Sequence, residues 1–360
     1  MFELSDDRGA IAVLTAIVGS VVLLACAAFA VDVGTLYSER RQLQNGADAA
    51  AIGIAQSCAR GIANPANPCD ARVGAALADG NAVDRTSEVA LICGTAPGLA
   101  GCPPADGSRA SCPAPPANSP PYVEVHTRTA TVDGANLVAP VFARAIPGFG
   151  DYRGTSVGAC ARAGYGSPAS AFSILAMTVS TCVIDQYRAQ HGAFAPSTLP
   201  NSTSAEIRLW ESTIQLNYDS GPCMSAAGNF GYLEPGGPCS ATTTLSSWFP
   251  GRTGNTNPKN LGCTDSYLTS RLGKTNYIPV YDAVTGTGDN ARYHIVGYAA
   301  FYFTGWRLTS TSHSSTASGR PPCQNPVTCI SGAFVYGLQP APGPISAAPN
   351  YGATVVQLIG

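Results

Sequence analysis

Apolar residues run without a charge from Ala10 to Val31, and after Asp32 the apolar positions fall three and four apart: Val33, Leu36, Leu43, Ala47, Ala50 and Ile54, broken only by Arg40. The first run, about 22 residues at ~1.5 Å each, is about 33 Å long, enough for the hydrocarbon core of a bilayer. The second run is a helix with a narrow seam. No turn signal separates the two, so one continuous helix is expected to start in a membrane and end outside it. Asp32 closes the apolar run where headgroups should begin and is read as a solvated boundary residue, with Tyr37, a common interfacial type, just beyond. Ala47, Ala50 and Ala51 would let another backbone approach closely, while Glu39, Arg40, Arg41, Gln44 and Asp48 keep the other faces wet. The seam packs either on this chain's own globular part or on a neighbouring subunit.

Beyond the rod the pattern changes twice. From Cys58 to Pro121 the chain is rich in Cys, Pro and Gly, with one helical patch around Ala71 to Val83, and reads as disulfide-tied loops. Tyr122 to Thr129 alternates as a half-buried strand, with His126 on its polar, solvated face. Leu137, Val138, Val141, Phe142 and Ala145 have helical spacing, with Pro140 near the start and Pro147 as a stop, and alternation returns from Tyr152 to Ala163. From Ser167 onward the signal is mostly β. Ile207 with Leu209, and Ile214 with Leu216 and Tyr218, could form a hairpin. The strongest strands are Tyr277 to Tyr281, Tyr293 to Leu308, Ala333 to Leu338 and Thr354 to Ile359. The long one is apolar on both faces and therefore central, and Gly297 and Gly305 mark bulges in it. GNFGYLEPGGPC, GRTGNTNPKN and HSSTASGRPP read as loops, and Ala171 to Gln190 is a helical candidate. The fold class expected is α+β: a long N-terminal transmembrane and amphipathic helix followed by a disulfide-rich, mainly antiparallel β region.

Composition narrows the setting. Charged residues are 12% of the 360, about half the usual share, and a net charge of -2 offers no basic field for nucleic acid. Of 13 cysteines, Cys26 lies in the apolar run and the other twelve follow it, an even set that reads as disulfides made in an oxidising compartment. No CxxC pair occurs and the histidines are isolated, so no metal is expected. Cys323 and Cys329 are the safest disulfide pair, because CQNPVTC contains a loop-forming Asn-Pro. Basic residues on the two sides of the span do not settle its orientation. The cysteines place the bulk of the chain outside. Leu23-Leu24-Ala25-Cys26 also looks like a lipobox and Ala28-Phe29-Ala30 like a cleavage site, but helix pattern continues past both, which favours a retained anchor.

Two catalytic motifs fail on context. Gly154-Thr155-Ser156-Val157-Gly158 matches a nucleophile elbow, which needs a helix after the serine, and GACARAGYG is not one. Gly286 to Ala291 matches a dinucleotide-binding loop, yet the strand-like RYHIVGYAAFYF follows where a helix N-terminus is required. Asp282, Asp289 and Asn290 lack the dense Asp repeat of a calcium loop and read as a solvated turn. No enzyme and no cofactor are expected.

The run from Arg8 to Gln56 resembles the N-terminal segment of the Tad (tight adherence) Flp pilus-assembly TadE/TadG-like family. Arg8 and Gly9, then Asp32, Gly34, Leu36 and Tyr37, then Arg40, Arg41, Leu43, Gln44, Ala47 and Asp48 carry the resemblance. It implies a non-enzymatic, single-pass protein of the bacterial cell membrane, part of a pilus-assembly and secretion system. Its partners would be the lipid bilayer, other Tad/Flp pilus-assembly proteins and, through the docking helix, a helix–helix oligomer. Pilin-type subunits carry Glu five residues after a processed Gly. Leu14 stands at that place after Gly9, which suits a stationary membrane component better than a shaft subunit. The expected organisation is a short cytoplasmic segment (1–8), a transmembrane helix (9–33), an amphipathic continuation (34–57), a loop region (58–121), a strand–helix–strand unit (122–166) and a β-rich domain (167–360). The alternative is a cell-surface binding module or adhesin, lipidated at Cys26 or released by cleavage.

Overall fold

The structure, a computed structural model, describes residues 8–63, 69–108, 110–131, 136–145, 150–173, 175–191, 194, 207–210, 230–252, 257–308, 311–313, 329–338 and 343–359. In chain order, helices α1 (Arg8–Ala63) and α2 (Val73–Asp79) precede strands β1 (Glu88–Gly94), β2 (Tyr122–Arg128), β3 (Gly158–Pro168), β4 (Ser170–Ser173) and β5 (Met177–Ser180). Helix α3 (Thr181–His191) follows, then strands β6 (Ile207–Trp210), β7 (Phe230–Leu233), β8 (Ala241–Thr244) and β9 (Ser247–Arg252), and helix α4 (Asp265–Thr269). The remaining strands are β10 (Lys274–Thr285), β11 (Arg292–Leu308), β12 (Thr311–His313), β13 (Cys329–Val335), β14 (Gly337–Leu338), β15 (Ile345–Ser346) and β16 (Ala353–Leu358). The fold is α+β: one long N-terminal helix, then a mainly antiparallel, disulfide-bonded β region.

Two sheets share the β region. The first runs β1-β2-β3-β16-β14, with β15 also on β3, and one face of it carries the C-terminal half of α1. Val123 and Val125 from β2, and Ala161, Ala163 and Tyr165 from β3, form that buried face, as strand alternation requires. The second sheet closes on itself through β5-β7-β9-β11-β10-β5, and β13 and β6 extend it from the far half of β11. β11 is the central strand that its two-faced apolarity predicts: Phe301, Phe303 and Trp306 are fully buried with Phe230, Tyr232 and Phe334. The register slips beside Gly297 and again between Phe303 and Gly305, at the two glycines expected to mark bulges.

Several elements differ from the sequence reading. Leu137 to Ala145, with helical spacing, makes only a 3-10 turn at Ala143–Ala145, and Val138 pairs with Thr155 instead. Within Ala171 to Gln190 the chain is strand first: Ser170–Ser173 pairs with β8 and Met177–Ser180 with β7, before α3 begins at Thr181. Pairing partners distant in sequence override local helical spacing there. Phe230–Leu233, expected in a loop, is a fully buried strand, and β1 arises inside the stretch expected to be loops. Ile207 and Leu209 lie on a strand that pairs with β13; the second half of the expected hairpin lies outside the described residues.

Disulfides join Cys58 to Cys69, Cys93 to Cys102, Cys112 to Cys160 and Cys239 to Cys263. Cys182 and Cys329 are also disulfide-bonded. Cys323, the expected partner of Cys329, lies outside the described residues.

Candidate membrane anchor and docking helix

The 56-residue α1 divides into two environments. From Ile11 to Phe29 every large apolar side chain is more than half exposed, Leu23 and Leu24 at 72% and 70%. By length and composition this part is apolar enough to cross a membrane. Its few polar groups are satisfied within the helix: the hydroxyls of Thr15 and Ser20 donate to the carbonyls of Ile11 and Ala16, as an apolar solvent demands. Arg8 and Gly9 open the helix, and Cys26 is a free, exposed thiol.

From Leu43 to Ala59 the same helix is buried. Leu43, Ala47, Ala50, Ala51, Ile54, Ala55, Cys58 and Ala59 are at most 2% exposed, packed on the first sheet and on Tyr336. The small side chains bring the helix close to the strands, and Thr127 on β2 donates its hydroxyl to the carbonyl of Leu43 at 2.9 Å. On another face α2 sits close: a Cβ at Gly46 would lie 3.1 Å from the carbonyl oxygen of Ala78, and one at Gly74 would lie 2.8 Å from Ile54 Cδ1. The alanine seam therefore packs on this chain's own body, the first of the two packings that the sequence left open.

The polar residues of the helix lock the same contact. Gln44 donates to Asp48 at 2.9 Å and to the carbonyl of Cys160 at 3.0 Å, and Gln42 accepts from the amide of Val83 at 2.8 Å. Arg41, exposed, stacks its guanidinium 4.8 Å above the Tyr37 ring. Gly34 is exposed; Leu36 borders two cavities, one against residues 138–140 and Tyr152 and one, which Arg40 also lines, against Ala110 and residues 156–158.

Glu39, expected on a wet face, is half-buried. Desolvation raises its pKa above the ordinary value and nearby Asp84 raises it further, against a hydrogen bond from Thr129 that lowers it. The folded chain then binds more protons than the unfolded chain between the two pKa values, so stability falls as pH rises through that interval. The expected result for Glu39→Gln is a flatter dependence of melting temperature on pH from about 4 upward. Parallel slopes for the variant and the parent chain would contradict it.

Asp32 corrects the sequence reading most sharply. Its carboxylate is not merely solvated: it accepts from the backbone amides of Val141 and Ala143 at 2.7 Å each, and from Phe142 at 3.1 Å. It acts as a side-chain cap for the 3-10 turn Ala143–Ala145, supplied from a helix over 100 residues away. Asp32→Ala should leave α1 folded while the amides of Val141, Phe142 and Ala143 exchange hydrogen faster, measured by exchange mass spectrometry. Unchanged protection there would refute the cap.

The opposite face of the first sheet holds a buried polar cluster. Arg162 on β3 donates two bonds to Glu124 on β2, one of them at 2.8 Å from Nε, and a third to the carbonyl of Pro113 at 2.7 Å. His126, expected to be solvated, instead joins the other Glu124 oxygen at 2.8 Å and the carbonyl of Ala110 at 3.1 Å. Cys93 and Cys112 with Cys160 come close enough to these groups to suggest metal ligation. All three are in disulfides, however, and Glu124 is already held by Arg162 and His126. The cluster is the attachment of the Cys/Pro-rich loop to the sheet.

The two motifs set aside from sequence lie in other local structure than their patterns require. Ser156 precedes β3, so a strand follows it where an elbow needs a helix. Gly288–Asn290 forms a turn between β10 and β11, with Asp289 paired to Arg252 at 3.3 Å and Asp282 to His294 at 2.7 Å.

Residues 9–56 match a family model described as putative Flp pilus-assembly TadE/G-like. No curated protein and no solved structure matches the chain. The matched segment lies wholly within α1, spanning both its exposed apolar part and its clamped part.

Proposed function

We propose that this chain is a membrane-anchored structural or assembly component of a bacterial Tad/Flp-type pilus and secretion system. In this reading the apolar part of α1 crosses the membrane, and the disulfide-bonded β body lies on the extracytoplasmic side, where it meets pilus or envelope partners. The observation that carries it is the coincidence of the matched segment with a helix that is lipid-ready at one end and rigidly seated on its own sheet at the other. A retained anchor follows from the same continuity, since cleavage after Ala30 would leave Asp32 at a frayed end. Leu14 at the place of the pilin Glu, itself 66% exposed, favours a stationary component over a shaft subunit. The test is membrane fractionation combined with the intact mass of the mature protein, in cells carrying the pilus apparatus and in a deletion strain. An unlipidated, uncleaved start in the membrane and loss of pili on deletion are expected. A diacylated Cys26, or a mature chain starting at Val31, would move the assignment to a surface-binding module.

A further inference from the structure

The segment before the second strand of the strand–turn–strand unit reaches along α1 toward the apolar run. Val138 pairs with Thr155 at its base, Arg144 donates to the carbonyl of Tyr152 at 3.2 Å, and Asp32 ties the amides of Val141, Phe142 and Ala143 to α1. Between this finger and α1 lies a cavity of about 160 Å³, walled by Ala28, Phe29 and Val33 on the helix and by Val138, Pro140 and Tyr152 on the finger. The cavity between finger and helix therefore runs past Asp32 to Ala28, four residues or about 6 Å further toward the span.

Its outer surface is apolar. Val141 is 59% exposed and Phe142 44%, with Leu137 and Tyr152 also exposed, and residues 137–145 carry no acidic group and one arginine. On a body surrounded by water such a patch would be a liability. At the depth fixed by Asp32 it would instead meet the headgroup and upper acyl region, the zone that amphipathic membrane-surface elements enter by about 5–10 Å and in which aromatic rings and arginine stems are favoured.

We propose that the finger formed by residues 137–145 and Tyr152 dips into the bilayer interface beside α1, giving the body a second lipid contact and fixing its tilt and rotation on the membrane. This rests on the anchoring reading of α1. It makes the membrane attachment two-point: α1 supplies the span, and Val141 and Phe142 supply a surface foot held to it by Asp32.

The test uses the full chain, with Cys26→Ser to remove the free thiol, reconstituted in nanodiscs of mixed zwitterionic and anionic phospholipid. A polarity-sensitive fluorophore is placed singly at Val141→Cys or Phe142→Cys, with Val22→Cys as the span reference. Val83→Cys is the water reference; it is 85% exposed beside Gln42, about 15 Å further along the rod from Asp32. Both finger sites are surface positions, and an unchanged melting curve checks that each variant is folded. Quenching by lipids brominated near the headgroup should be several-fold stronger at 141 and 142 than at 83. Finger labels that match Val83 while Val22 is quenched would overturn the foot and leave the anchor standing. A water-like signal at Val22 as well would overturn both.

Discussion

Glu124→Ala is expected to destabilise the extramembrane body by about 3–5 kcal/mol, the cost typical of removing one partner from a buried ion pair. Glu124 and Arg162 are 3% and 2% exposed, so the guanidinium would be left charged in the sheet with the Pro113 carbonyl and the face of the Tyr122 ring, but no carboxylate, beside it. His126 would lose its carboxylate partner at the same time and keep the Ala110 carbonyl. The variant that removes both charges, Glu124→Met with Arg162→Met, should recover much of the loss, because desolvation is then no longer imposed on a lone ion. Denaturant unfolding of the detergent-solubilised chain measures both. A single-variant loss below about 1 kcal/mol would mean that the pair is solvated.

The second large effect concerns the link between the loop and β3. Cys112 and Cys160 are separated by 48 residues, the longest span among the four disulfides whose two cysteines are both described; the others close 9, 11 and 24. Loop-closure entropy gives about 4 kcal/mol for the longest and about 3 kcal/mol for each of the two shortest. Cys112→Ser with Cys160→Ser should therefore lower stability more than Cys93→Ser with Cys102→Ser. It should also open the cluster around His126, whose Nε2 lies 3.6 Å from Cys160 Sγ, so that a proteolytic nick appears in the Cys/Pro-rich loop. Equal losses for the two double variants, with no new nick, would show that the loop is held without that bond.

The helix was legible from sequence because composition and periodicity carry it: twenty-odd uncharged residues, then a three-four repeat with no turn signal. The strands β2, β3, β10 and β11 were legible for the same kind of reason, since alternation or two-faced apolarity survives in any context. The partner of the alanine seam was not, because a row of small residues fits the backbone of a sheet as well as that of another helix. The roles of Asp32 and His126 were invisible for a different reason. Each is defined by groups far along the chain or on a covering loop, and a carboxylate at a membrane boundary or an imidazole on a polar strand face gives no local sign of them. Helical spacing over 137–145 misled because its apolar residues divide between the outer surface and the α1 cavity rather than sharing one core face, and Val138 pairs with the distant Thr155 instead of continuing a helix.

The place of β16 in the first sheet has a consequence for biogenesis. The strand Ala353–Leu358 lies between β3 and β14 and touches α1, so β4 to β13 form a nested insertion within the platform that seats the helix. The platform cannot close when its first three strands have been made; it waits for a strand almost 200 residues after β3. During that interval the apolar face of Ala161, Ala163 and Tyr165 lacks one neighbour, and the nested barrel has time to form its own disulfides first. Assembly of the seat of α1 is thus a late event, and a lesion in the last strand would act at the N-terminal helix rather than where it occurs in the chain.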